Sequence, residues 1–237
     1  MLRGKLTVSV IVLVSLCLLG TSCSDDSPPV SESSPPPSNT PAALLLPARA
    51  FPQGYQPAEL SVIDLREQNA AALKSAGSAQ FDPPQCRPTA DADLNSKLDV
   101  SNTAVSAWQS AAGNTITELV TTVPRDIDAD VRATVGECAQ VTITITQGST
   151  AATTVLTQNR RLTPPPLPTS LSLMAESVAT TTYPGGRTAT SQTLAGYAVV
   201  NGVTVQLVAN STENGLSDLE FADLFAQAVA RVSAATD

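Results

Sequence analysis

Tyr197-Ala198-Val199-Val200-Asn201-Gly202-Val203-Thr204-Val205-Gln206-Leu207 is the stretch that decides the fold. Two apolar, β-branched runs flank Asn-Gly, the pair that accepts the positive φ angles of a two-residue hairpin turn. Two antiparallel strands are therefore predicted on either side of Asn201 and Gly202. Further on, Ser217 with Glu220 three residues later forms a capping box and starts a terminal helix. In that helix Leu219, Ala222, Phe225, Val229 and Val232 are expected to face inward, with Leu224 and Ala228 beside them. Upstream, Val141, Ile143 and Ile145 alternate with Thr142, Thr144 and Thr146, the pattern of a half-buried strand. Antiparallel hairpins with intervening and terminal helices imply an α+β fold. No internal repeat is present.

The remaining elements extend this pattern. Leu44 to Pro47 and Phe51 to Tyr55 read as a lead-in segment that packs apolar side chains on the domain. Leu60 to Leu65 reads as a strand, Gln68 to Ser75 as a short Ala-rich helix, and Asp91 to Leu98 as another helix. Asp82-Pro83-Pro84 is a turn. Ala104 to Ser110 and Thr115 to Val123 are neighbouring strands joined near Gly113-Asn114. Arg125 to Val135 reads as a helix, with Ile127, Val131 and Val135 at four-residue spacing and Gly136 at its end. Thr153 to Gln158 pairs back across Gly148, and Pro164 to Pro168 is a loop. Strands are expected around Leu171 to Ala179 and Thr188 to Thr193.

The N-terminus carries a different signal. Arg3 and Lys5 precede an uncharged, largely apolar run from Leu6 to Gly20, and small residues lead to Cys23. This is the basic, apolar, small-residue order of a signal peptide. A run of about fifteen residues is short for a membrane span, which needs about twenty. Leu19-Gly20-Thr21-Ser22-Cys23 is similar to a bacterial lipobox, which makes Cys23 the diacylated first residue of the mature chain. The expected address is the extracytoplasmic face of the cell membrane, reached through a lipid anchor. Residues 1–22 are then the signal peptide. Residues 23–42 are the lipidated cysteine and a Ser/Pro-rich disordered tether, and residues 43–237 are one domain. As extended polyproline, about nineteen residues reach roughly 60 Å.

Composition narrows the function. All 21 acidic residues follow Cys23, while Arg3 and Lys5 are two of the 13 basic ones; loss of the signal leaves 11 against 21, a net charge of −10. That disfavours nucleic acid and anionic head groups as primary partners. Histidine is absent, which excludes a Ser-His-Asp or Cys-His triad and a His-ligated metal. One tryptophan, Trp108, leaves little for base or sugar stacking. Cys17 leaves with the signal and Cys23 takes lipid. Cys86 and Cys138 remain, and an even pair in an exported chain implies a disulfide.

Other constellations are weaker. Asp126, Asp128, Asp130 and Glu137 match positions one, three, five and twelve of a calcium loop, but Val131 stands where glycine is required and belongs to the helix stripe. Arg160-Arg161 reads as a solvated strand end, and Asn210-Ser211-Thr212 as an unused sequon. No phosphate loop, Gly-x-Ser-x-Gly elbow or Ser-x-x-Lys set is present. No catalytic residue, cofactor or metal site is assigned.

With Leu44-Leu45-Leu46-Pro47, Phe51-Pro52-x-Gly54-Tyr55, Pro83-Pro84-Gln85-Cys86-Arg87-Pro88, the Trp108 strand, Cys138 and the final hairpin and helix in view, the chain resembles a family of mycobacterial-type lipoproteins. Their domain is similar to the extracellular sensor of a mycobacterial Ser/Thr protein kinase. The resemblance runs from about residue 43 to 233. It implies a twisted antiparallel sheet with helices packed on it and a cleft for a ligand. The kinase sensors carry four cysteines; Cys86 and Cys138 match the first two, while Ala195 and Ala209 or Asn210 stand where the second pair would fall. The expected function is a non-enzymatic, membrane-tethered ligand-binding or sensor-like module with an envelope ligand or protein partner. The alternative is a lipid or glycolipid carrier. The anchor is testable directly: metabolic labelling with a radioactive fatty acid should mark the mature chain and fail in Cys23→Ser. An unlabelled wild-type chain would remove the anchor.

Overall fold

One antiparallel sheet of nine strands organises the computed structural model, which describes residues 40–87, 90–146 and 152–236. Cys23, Gly148, the signal segment and most of the tether lie outside the described residues. The strands are β1 (Tyr55–Ala58), β2 (Gln80–Asp82), β3 (Thr103–Ser110), β4 (Thr115–Thr121) and β5 (Gln140–Ile145). They continue with β6 (Thr153–Leu162), β7 (Ser172–Thr182), β8 (Thr188–Val200) and β9 (Val203–Ser211). Their spatial order is β1-β3-β4-β9-β8-β7-β6-β5-β2. The helices are α1 (Pro41–Leu44), α2 (Val62–Ser78), α3 (Ala90–Lys97), α4 (Ile127–Thr134) and α5 (Asp218–Thr236). Single 3₁₀ turns occupy Pro84–Cys86 and Gly136–Ala139. The α+β class read from the sequence is the observed one.

The β8–β9 hairpin turns at Asn201 and Gly202, with φ of 48° and 82°, as Asn-Gly dictates. Its register, Val200 opposite Val203 and Tyr197 opposite Gln206, fixes which side chains face which layer. Chain order then explains the layers. β1 and β2 are consecutive in sequence yet lie at opposite edges, so α2, about 25 Å long, carries the chain across one face. There α2, α3 and α4 form a layer. α1 and α5 cover the other face.

The α5 face has one continuous core. Phe221, Leu224, Phe225, Ala228, Val229 and Val232 pack on Ile116, Val120, Leu194, Ala198, Val205 and Leu207. Gly196 allows this closeness: a Cβ there would lie 2.7 Å from the Phe225 ring. The capping box holds as read, with Ser217 N–H donating to Glu220 and Glu220 N–H donating to Ser217 Oγ. Leu219 does not face inward; it is 78% exposed. The buried stripe runs through 221, 224, 225, 228, 229 and 232, so Phe221 takes the place expected of Leu219.

Two further readings are corrected. Leu60 to Leu65 is not a strand. Ser61 caps α2 in a reciprocal box with Asp64, and the Ala-rich helix is the interior of this longer one. Val62 and Leu65 then point inward on a helical rather than a two-residue period. Likewise β8 is one strand of 13 residues, running through Ala195 and Gly196 without a break.

The lead-in segment packs as expected, with Leu44, Leu46 and Phe51 buried on the α5 face and Phe51 stacked 4.3 Å from Trp108. What holds it is Glu118 on β4, which is fully buried. Both carboxylate oxygens accept the Leu46 N–H, at 3.1 and 2.9 Å, and Ser106 donates at 3.4 Å. Arg231 of α5 donates to the Ala43 carbonyl at 2.7 Å. Burial pushes Glu118 up to about 7, against the opposing pull of the Leu46 N–H, Ser106 and the Arg231 charge. A carboxyl raised in the folded state gives stability that is complete below its unfolded value, about 4.5, and is lost as pH rises to about 7. This loss is on the order of 3 kcal/mol. Urea unfolding at pH 5 and pH 8 should show a smaller stability difference for Glu118→Gln than for the wild type. Equal differences would show that Glu118 does not titrate in this window.

Candidate functional site

Arg125 stands between β4 and α4, preceded by Pro124, and its side chain is only 1% exposed. Four of its five N–H groups are spent. Nε and Nη2 donate to the two oxygens of Asp130 at 2.6 and 2.7 Å. Nη2 also donates to Asp91 Oδ1 at 2.7 Å, and Nη1 to Gln206 Oε1 at 3.0 Å. The guanidinium lies 3.9 Å over the Tyr197 ring. The Arg125 backbone N–H donates to Thr204 Oγ1, which in turn donates to the Val123 carbonyl. One cation therefore ties α3 through Asp91, α4 through Asp130, β8 through Tyr197 and β9 through Gln206. Burial disfavours its charge, but the carboxylates of Asp91 and Asp130 outweigh burial and hold it protonated above the ordinary arginine value. Burial raises the Tyr197 phenol as well, partly offset by Arg125, so its hydroxyl stays neutral.

Beside this hub is a cleft of about 200 Å³ between the helices and the sheet. Alternation explains why it exists. On this face β6, β7 and β8 place the polar side chains of Thr157, Asn159, Ser177 and Thr193 side by side. Apolar packing under α2–α4 is consequently divided into separate clusters. One holds Phe81, Val141, Ile143 and Ala76; another Leu65, Leu94, Leu98 and Leu119; a third Ile127, Leu173 and Ala175. The cleft has an apolar wall of Leu73, Ala76, Phe81, Val141 and Ile143, and a polar side formed by Asn69, Asp91 and Tyr197 with the floor. On the floor Ser177 donates to Asn159 Oδ1 at 2.7 Å, and Thr193 donates to Asn210 Oδ1 at 2.8 Å. Asn159 donates to the Cys138 carbonyl at 2.7 Å. The Asn69 Oδ1 atom is buried with no hydrogen-bond partner among the described residues.

The disulfide expected from the cysteine count is present. Cys86 joins Cys138 across 52 residues and links the turn after β2 to the turn before β5. Cys86 also lines the cleft. Closing a loop of this length restricts the unfolded chain by about 4 kcal/mol in loop entropy.

The calcium-like residues are dispersed. Asp126 accepts the Ala129 N–H as the cap of α4, Asp128 is exposed, and Asp130 belongs to Arg125. Glu137 accepts from Gln85. Arg160 is not a bare strand end; it donates to Glu176 and Asp218. Ala195, where the resemblance placed a cysteine, lines the cleft. In the sequence Arg125 reads as the first residue of a helix, and Tyr197 and Asp91 as plain strand and helix positions. The one local signal was an arginine set beside a proline after the apolar run 119–123. Among the described residues no three of Cys, Asp and Glu gather as metal ligands. No family model matches the chain, and no curated protein or solved structure is significantly similar to it.

Arg125→Met leaves two carboxylates without their cation, one of them buried. It should cost about 3–5 kcal/mol in urea unfolding. Arg125→Lys should recover only part of this, because one ammonium cannot span Asp130, Asp91 and Gln206. A near-neutral Arg125→Met would show that the hub does not hold the layer.

Proposed function

We propose that this chain is an extracytoplasmic lipoprotein, anchored through Cys23, whose folded domain binds a small ligand as a non-enzymatic, sensor-like module. The cleft between α2–α4 and the sheet carries this reading. It combines an apolar wall with polar side chains, one of which, Asn69, has a buried oxygen without a hydrogen bond among the described residues, the make-up of a ligand site. Its ionisable groups suit binding: Asp91 and Tyr197 are both engaged with Arg125, and among the described lining residues no nucleophile is hydrogen-bonded to a base. The anchor rests on the sequence around Cys23. No helix among the described residues is long and apolar enough to cross a membrane.

The carrier reading calls for a large apolar cavity. At about 200 Å³ the cleft is smaller than the roughly 300–1,000 Å³ typical of drug-sized ligands, and its floor is polar. A small ligand is the better fit.

The test is co-purification. Full-length chain taken from the membranes of its native producer, extracted and analysed by mass spectrometry, should carry a small molecule that Ala195→Trp has lost. Adding the purified molecule back at about a hundred times its Kd should stabilise the wild type by about 2.7 kcal/mol. The same molecule on both proteins, or its failure to stabilise the wild type, would reject the cleft as the site.

A further inference from the structure

The polar side of the cleft is rich in acceptors, set against the Tyr197 O–H and the amide donors of Asn69 and Asn159. Among the described residues no lysine or arginine lines the cleft, and the Arg125 guanidinium beside it has four of its five N–H groups committed to Asp130, Asp91 and Gln206. Arg87 lies over the Phe81 ring, donates to the Gly77 and Ala79 carbonyls, and does not line the cleft. Two carboxylates against one guanidinium leave the hub one negative charge in excess. That excess reaches the cleft at Asp91, whose side chain is 19% exposed and whose Oδ2 has no hydrogen bond among the described residues.

The neutral groups tilt the same way. Ser177 and Thr193 have spent their O–H donors on Asn159 and Asn210 and keep oxygen lone pairs. Asn69 Oδ1 is a buried acceptor without a donor. A buried acceptor left unmatched costs free energy, so something must donate to it. Water can: the volume holds about six waters at liquid density. Water cannot neutralise Asp91 or cover the apolar wall of Leu73, Phe81, Val141 and Ile143. An anion would meet a carboxylate and no free cation, at a desolvated site where like charges repel most strongly.

Resting on the ligand-binding reading above, we infer that the cleft takes a small protonated amine with an apolar body, its N–H groups donating to Asp91 and to Asn69 Oδ1. Its carbon skeleton lies on the Phe81–Ile143 wall, and the excess charge of the Arg125 hub is matched by the ammonium.

The test compares three probes of one shape, hexylamine, hexanol and hexanoate, titrated into isotopically labelled full-length chain and followed by NMR. Hexylamine should shift the amide signals of Val141, Ile143, Thr193 and Tyr197 and bind about tenfold more tightly than hexanol, with hexanoate weaker than both. Asp91→Asn should close the gap between amine and alcohol. Asn69→Leu, which leaves the Arg125 bonds untouched, should weaken hexylamine severalfold even if Asp91→Asn fails to fold. Hexanoate binding as tightly as hexylamine, or an amine preference unchanged in Asn69→Leu, would overturn the amine assignment and leave the cleft a binding site. No shift of cleft signals by any probe would overturn the ligand-binding reading with it.

Discussion

A buried guanidinium with four partner groups sets the spacing between the helical layer and the sheet. Arg125 cannot withdraw from the interior without stranding Asp130, and Asp91 and Gln206 cannot relax towards one another past it. Such a cluster is not an efficient source of stability, because the desolvation of its charges offsets most of their attraction. Its value is geometric. Apolar side chains would fill the space between α3, α4 and the sheet by the closest packing available. A planar cation bonded in four directions holds those elements at one distance, and the space next to it stays open.

The two faces of the sheet therefore behave as different materials. The α5 face is one apolar cluster, close enough for Phe225 to sit where a Gly196 Cβ would be. Among the described residues the α2–α4 face has three clusters, parted by the row of Thr157, Asn159, Ser177 and Thr193 and by the Arg125–Gln206 contact. Replacing that row with valines would merge the clusters and close the cleft. The polar row is thus the counterpart of Arg125: one keeps the floor from collapsing, the other keeps the roof at its height. The disulfide secures the end of the cleft next to β2, which is three residues long.

Legibility followed the range of the interactions. The β8–β9 hairpin, the alternation of β5 and the capping box of α5 are written in residues within four positions of one another, and all are present as read. The disulfide followed from arithmetic rather than from pattern. Misreadings arose where short apolar runs fit two periods. Leu60, Val62 and Leu65 suit a strand until the Ser61–Asp64 cap assigns them to a helix. Leu219 and Phe221 alternate with Asp218 and Glu220 in the first turn of α5, so either can open the apolar stripe, and the sheet beneath decides for Phe221. The Arg125 hub was not legible. Asp91 lies 34 positions away and Gln206 lies 81 away, and no local preference links them.

Placement of the cleft relative to the chain's N-terminus bears on how the domain meets a membrane. Residues 41–51 are fastened to the α5 face by Glu118, Arg231 and Trp108, so the chain reaches the domain on the side opposite the cleft. On the proposed anchoring at Cys23, a short rigid link would point the α5 face towards the bilayer and the cleft away from it. Read as the extended tether that composition suggests, residues 24–39 would reach roughly 50 Å, about five times the spacing of about 10 Å between packed layers. A link of that length would impose no orientation. On that proposal the excess of acidic residues would keep the domain off anionic head groups, and access to the cleft would follow from that distance.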